Sequence, residues 1–179
     1  MNDIVEHEIT GMRKNVIIYH PENMGENLIK GVKIFPMRKN LDDRGWNNEV
    51  WHLPDIEGFS PQMFTDTFTN AGTIKAFHIH KGQDDLFYVM EGHAKIVLVD
   101  LRPDSPTFGV ANTINCSRDW PRAVFIPRGV AHGYEAITDV RLAYLISRDH
   151  YEPSDEKKIP PGSEDFKKIG YNDWGIKHR

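Results

Sequence analysis

The chain has 179 residues, 39% of them hydrophobic, a formal net charge of −4 and a single cysteine. That length suits one domain with a core of its own, and the lone Cys116 excludes an internal disulfide or a cysteine-based zinc centre and reads as a small half-buried hydrophobe. The acidic balance speaks against nucleic acid or a polyanionic membrane surface as partner, although a few local Arg or Lys residues suffice for one diphosphate.

Residues 1–30 are mixed and polar around one apolar patch at 16–19, which predicts an N-terminal arm with a short strand. Asp3, Glu6 and Glu8 stand where a leader would be basic and then apolar, and no segment approaches the ~18 apolar residues of a membrane span. A cytoplasmic protein without membrane contact is expected. From Gly31 onward, short runs rich in Val, Ile, Phe and Thr alternate with turn residues. They predict strands at 31–36, 48–52, 65–68, 74–80, 86–91, 93–98, 107–110, 123–126 and 141–147. Glu91-Gly92 reads as a hairpin turn between two of them. Residues 31–150 thus predict one all-β sandwich or barrel. Residues 151–179, with Pro153, Pro160, Pro161 and many charges, predict an extended tail packed on it, in which 152–158 reads as a solvated face. Trp46 and Trp51, close to Arg44, could pack in a core or dimer contact, or stack on a nucleotide base.

The chemistry-bearing residues concentrate between Gly72 and His132. His78 and His80 are two apart in a β-type run, so their imidazoles point the same way. Such a pair can hold a divalent metal, or one ring can act as a base while the other positions substrate. Asp85 and His132 extend the set, so His78, His80, Asp85 and His132 form a possible ligand group for one divalent transition metal. Without metal, the same residues offer a catalytic site on His78 and His132. The plainer alternative is that one or two of these histidines are satisfied core residues.

The order Gly72, His78, His80, Asp85, Gly92, then Pro127, Gly129, His132, resembles the two cupin motifs, with Asp85 in place of Glu and with Pro121 and Ala136 where the second motif has Gly and Asn. The resemblance implies a double-stranded β-helix, the jelly-roll barrel of the cupins, with or without a metal. Three stretches further resemble the dTDP-4-dehydrorhamnose 3,5-epimerase family: GVKIFPMRKNLDDRGWNNEVW at 31–51, VDLRPDSPTFG at 99–109 and IPRGVAHGY at 126–134, with Tyr151-Glu152-Pro153 beyond. That resemblance implies an epimerase or ketoisomerase of a 4-keto-6-deoxy nucleotide sugar, used in polysaccharide or deoxysugar biosynthesis. In it His78 matches the catalytic base and His132 a pocket histidine. Arg44 and Lys75 match positions that hold the diphosphate, Lys75 replacing an Arg and losing its bidentate fork. Glu49 matches a residue near the nucleotide, and a homodimer is implied, its N-terminal arm adding a strand to a neighbour's sheet.

The chain also departs from the family. Asp85 stands where the family has a Lys, a candidate stabiliser of the enolate, and Leu145 stands at the position of the acid Tyr. Tyr144 is one residue away, which in a regular strand turns the side chain to the other face unless a bulge intervenes. Tyr88 and Tyr134 are further possible acids or barrel-packing residues, and Tyr134 is also a substrate-contact candidate. The tail lacks the family's longer C-terminal extension and its base-orienting Asp. The departures leave open a metal-dependent cupin of another reaction and a non-catalytic sugar-binding cupin.

Overall fold

The computed structural model describes residues 17–19, 27–51 and 56–175. Most of the expected arm, His52 of the expected strand 48–52, and the chain beyond Gly175 lie outside the described residues. The strands are β1 (Ile17–Tyr19), β2 (Lys33–Pro36), β3 (Asn40–Asp42), β4 (Gly45–Asn47), β5 (Met63–Thr69), β6 (Ile74–His80), β7 (Asp85–Glu91), β8 (His93–Asp100), β9 (Val110–Ser117), β10 (Arg122–Ile126), β11 (Val130–Ala136), β12 (Val140–Ile146) and β13 (Glu156–Lys158). One short helix, α1 (Glu164–Ile169), follows, capped by the Ser163 side chain at its start and by left-handed Gly170 at its end.

The strands form two facing sheets, in the orders β1-β9-β8-β11-β6-β13 and β2-β10-β7-β12-β5, with β3 and β4 as a separate hairpin. Successive strands change sheet: β5 to β6, β7 to β8, β9 to β10 and β11 to β12 each cross from one to the other. Within the sheets the pairs are antiparallel except β1 with β9. This alternation winds the chain into the cupin jelly roll. The turn between β7 and β8 requires Gly92, whose φ is +78° and where a Cβ would sit 1.8 Å from the Asp139 carbonyl oxygen.

Burial follows the sheet period. Strand β8 is buried on both faces, as its Ile-Val-Leu-Val run demands. Edge strand β5 alternates instead, with Phe64, Asp66 and Phe68 exposed. Three apolar layers result. Phe87, Ile96, Leu98, Ile114, Val124 and Leu142 fill part of the space between the sheets. Ile56, Phe59, Leu86, Phe125 and Leu145 back the five-stranded sheet. Phe77, Ile79, Val97, Ile159, Ile169 and Tyr171 back the six-stranded one.

That last layer brings the tail onto the barrel. Buried Lys95 donates to the carbonyls of Asp173 (2.9 Å) and Gly175 (2.7 Å) and pairs with Glu135 at 3.0 Å. Strand β13 pairs with β6, so the barrel does not stop at residue 150. Other details differ from the expected strands. Residues 48–51 form no strand; the hairpin β3–β4 precedes them. The strand expected at 107–110 begins only at Val110 and runs to Ser117, because Ser105 and Thr107 are engaged in a side-chain network described below. Strand β11, rich in Ala and Gly, had no β-branched run to announce it.

Candidate active site

A cavity of about 450 Å³ opens between the sheets, lined on one wall by Lys75, His78, His80, His132 and Glu156 and on the other by Met63, Thr65, Asp85, Phe87 and Tyr144. Its key device is an irregularity in β6. His132 pairs with His78 and Tyr134 with Lys75, so Ala76 and Phe77 together oppose the single Gly133. The extra residue turns Lys75 to the same side as His78 and His80. Regular alternation would send Lys75 away, so the bulge gives the cavity its lysine. A Cβ on Gly133 would lie 2.3 Å from the Ala76 Cβ, so the bulge also needs a glycine opposite it.

His78 is oriented by a residue of the tail. Its Nδ1 lies 2.5 Å from Oε1 of Glu156 on β13. A carboxylate only accepts, so Nδ1 carries a proton, and in the neutral ring Nε2 is the nitrogen with the lone pair. Glu156 also accepts from the Tyr151 hydroxyl at 2.9 Å and pairs with Lys158 at 3.2 Å. Burial opposes its ionisation, but the bonds from His78, Tyr151 and Lys158 outweigh that and hold the carboxyl at about 2. The segment 152–158 is therefore not simply a solvated face: the Glu156 side chain is only 7% exposed and supports His78. The signal for it was the pair Glu156 and Lys158, two apart and hence on one face of a strand.

Deeper in the cavity, His80, Asp85 and His132 converge with one ligand-type atom each within 4.8 Å of the others, all buried. Asp85 Oδ1 accepts from Gln83 at 2.8 Å, while Oδ2 has no hydrogen-bond partner among the described residues. Nε2 of His132 and of His80 stand 3.7 and 3.9 Å from that oxygen. His132 Nδ1 is 3.0 Å from the Val130 carbonyl, which fixes the proton there and frees Nε2. Burial, with lesser contributions from Asp84, Glu156 and Asp155, pushes Asp85 up to about 7 against its bond from Gln83. Burial and then neighbouring His80 push His132 down to about 3, and burial also lowers His80.

Tyr144 stands on β12, in the sheet opposite β6. No bulge in β12 is needed to turn it inward. The strand runs in regular register from Leu142 to Ile146 against both neighbours, with Leu142 and Tyr144 inward and Leu145 packed in the outer layer. The family's Tyr position falls on Leu145, but the strand turns Tyr144, not Leu145, to the cavity. Burial raises the Tyr144 hydroxyl above its ordinary 10, reinforced by Tyr134 and Asp85. Tyr134 also lines the cavity, but its hydroxyl is engaged with Thr69 Oγ1 at 2.7 Å. Tyr88 faces the other side of β7 from Phe87, and its hydroxyl accepts from Asn48 at 2.8 Å.

Neither Arg44 nor Glu49 lines this cavity. Arg44 sits in the β3–β4 turn, 89% exposed, and pairs with Asp42 at 2.5 Å. Trp46, on the same hairpin, lies under Lys39, and Trp51 packs edge-on against Phe59 at 5.1 Å. The family-like string at 99–109 also lies outside the cavity. Fully buried Asp100 accepts from Arg102 Nε (2.8 Å), Ser105 Oγ (2.6 Å) and Thr107 Oγ1 (2.6 Å), tying the loop after β8.

The family model described as dTDP-4-dehydrorhamnose 3,5-epimerase matches residues 26–171. The spore coat polysaccharide biosynthesis protein SpsL of Bacillus subtilis is 38% identical over 157 residues, covering 85% of this chain and 100% of that protein. The probable low-salt glycan biosynthesis epimerase Agl13 of Haloferax volcanii is 32% identical over 137 residues, covering 74% and 88%. Among solved structures, the dTDP-6-deoxy-D-glucose-3,5-epimerase RmlC of Legionella pneumophila, in complex with dTDP-4-keto-L-rhamnose, superposes with a TM-score of 0.73 at 25% identity, covering 85% and 82%.

Proposed function

The chain belongs to the dTDP-4-dehydrorhamnose 3,5-epimerase family, and on that premise we propose that it epimerises a 4-keto-6-deoxy sugar carried on a nucleoside diphosphate, in polysaccharide or deoxysugar biosynthesis. The observation that carries this reading is the placement of a base and an acid on opposite sheets of one cavity: His78, backed by Glu156, faces the side from which Tyr144 projects.

Epimerisation beside a ketone needs proton removal from one face and proton delivery to the other. His78 Nε2 takes the proton from the carbon next to the ketone, and the electron pair moves onto the ketone oxygen as an enolate. Glu156 stays ionised and stabilises the imidazolium that forms. Tyr144 remains protonated at neutral pH because burial disfavours its phenolate. Its hydroxyl returns a proton from the opposite sheet, which inverts the carbon. Lys75, donating to Thr67 Oγ1 at 3.2 Å, supplies a cation at the cavity wall for the diphosphate. Tyr134 and His132 shape the pocket.

Arg44 and Glu49 fit the same reading if the working unit is a homodimer. They lie away from their own cavity, on and beside a hairpin that also exposes Leu41 and Trp46, while Phe64 and Phe68 are exposed on edge strand β5. A second copy covering these faces would bring Arg44 to a neighbour's nucleotide. No helix among the described residues is long and apolar enough to cross a membrane, and we place the enzyme in the cytoplasm, where nucleotide sugars are made. The test is incubation with 4-keto-6-deoxy sugars on dTDP, UDP, GDP and CDP, with products resolved by NMR. An inverted centre at C3 or C5 is expected; an unchanged sugar across the panel sinks the reading.

A further inference from the structure

The mechanism above leaves one charge unmatched. An enolate oxygen needs a positive or hydrogen-bonding partner, yet the cavity floor holds the buried carboxylate of Asp85. We infer that His80, Asp85 and His132 form a binding site for one divalent transition-metal ion, distinct from the His78–Glu156 base.

The geometry carries the inference. The three groups are buried and each turns one ligand-type atom to a common point. Asp85 Oδ2 is the atom between the two imidazoles, and it has no hydrogen-bond partner among the described residues. Its distances of 3.7 and 3.9 Å to the two Nε2 atoms are too long for hydrogen bonds. They are close to the ~3.4 Å edge of a tetrahedron around an ion with ligands at about 2.1 Å. The far side of two of the three ligands is already held, as ligands of a bound ion are. His132 Nδ1 meets the Val130 carbonyl at 3.0 Å and Asp85 Oδ1 accepts from Gln83 at 2.8 Å, while His80 Nδ1 has Asp155 at 4.0 Å, beyond hydrogen-bond reach.

His78 stands outside the set. Its Nδ1 is committed to Glu156, and its ring centroid is 6.1 Å from that of His132. The ligand set is therefore narrower than the four residues expected from the sequence. Two imidazoles and a carboxylate suit zinc or iron(II), and all three residues line the cavity, so an ion that they held would be accessible from it. An ion held there would reverse the sign of the charge that Asp85 alone presents to a ketone oxygen. That role rests on the epimerase reading; the site itself does not.

The test counts metal. Untagged protein is stripped with chelator, reconstituted with Zn²⁺, desalted and measured by elemental analysis, alongside Asp85→Asn and His78→Ala, with circular dichroism to verify folding. Cobalt(II) substitution adds a visible d–d band as an independent signature. Expected are one Zn²⁺ per chain in wild type and in His78→Ala, and an at least tenfold lower content in folded Asp85→Asn. Wild type that holds no zinc overturns the site. Equal zinc in Asp85→Asn overturns the ligand set, and loss of zinc in folded His78→Ala overturns the separation of base from metal. Failure of the epimerase assay would leave these counts unchanged, so the two readings fail separately.

Discussion

Asp100 and Asp85 are both buried carboxylates of the barrel, at the end of β8 and the start of β7, and they live opposite lives. Asp100 accepts from Arg102, Ser105 and Thr107 and titrates below the ordinary carboxylate value, because those bonds outweigh its burial. Asp85 keeps one oxygen without a hydrogen-bond partner among the described residues and is driven up to about 7 by burial. Folding alone explains the first: it ties a loop. The second costs stability for something folding does not need, and it lies in the cavity. The string around Asp100, which gives the family resemblance much of its strength, thus reports the fold, while Asp85 lies in the cavity at a position where the sequence departs from the family.

The contrast can be pressed with substitutions. The largest effect is expected at the cavity. His78→Ala should lower turnover roughly 10²- to 10⁴-fold with a modest fall in melting temperature, since Glu156 loses one partner but keeps Tyr151 and Lys158. Wild-type turnover in that variant would remove the base. Next comes the pair of aspartates. Asp100→Asn should cost about 3 kcal/mol in denaturant unfolding, because it breaks a buried ion pair and its hydrogen bonds, with kcat of the folded protein unchanged. Asp85→Asn should leave the stability of chelated protein equal or higher and lower turnover. Equal stability losses at both positions would erase the distinction.

Tyr144→Phe should be milder. Turnover falls by roughly 10²-fold, but solvent deuterium still enters the substrate, because removal of the proton does not need the acid. Loss of both together would assign Tyr144 to binding rather than to proton return. The smallest effect is in acid. The Asp100 carboxyl has a lower pKa folded than its ordinary 3.8. Its contribution is therefore fully present above that value and is lost as pH falls through the folded one. Stability measured from pH 5 downward should fall less steeply in Asp100→Asn than in wild type.

Much of this was legible in the sequence. The apolar runs of β7 and β8 and the glycine turn between them are visible as strand and turn composition, and the His-x-His on one face follows from the two-residue period of a strand. What was hidden depends on chain geometry that no local pattern encodes. The bulge that turns Lys75 inward needs Gly133 from another strand. Glu156 reaches His78 only because the tail returns as β13. Tyr144 faces inward by plain alternation from Leu142, while Leu145, at the family's Tyr position, faces the outer layer. Arg44 and Glu49 matched family positions by type, but their own cavity lies elsewhere.

The central claim, that His78 removes a proton beside a ketone, has a direct measurement. Wild type and His78→Ala are incubated side by side with dTDP-4-keto-6-deoxyglucose in D2O, and deuterium at C3 and C5 is followed by NMR. The account predicts incorporation by wild type at one or both carbons, and incorporation at least about 100-fold slower in the variant. Equal rates in the two proteins would contradict it.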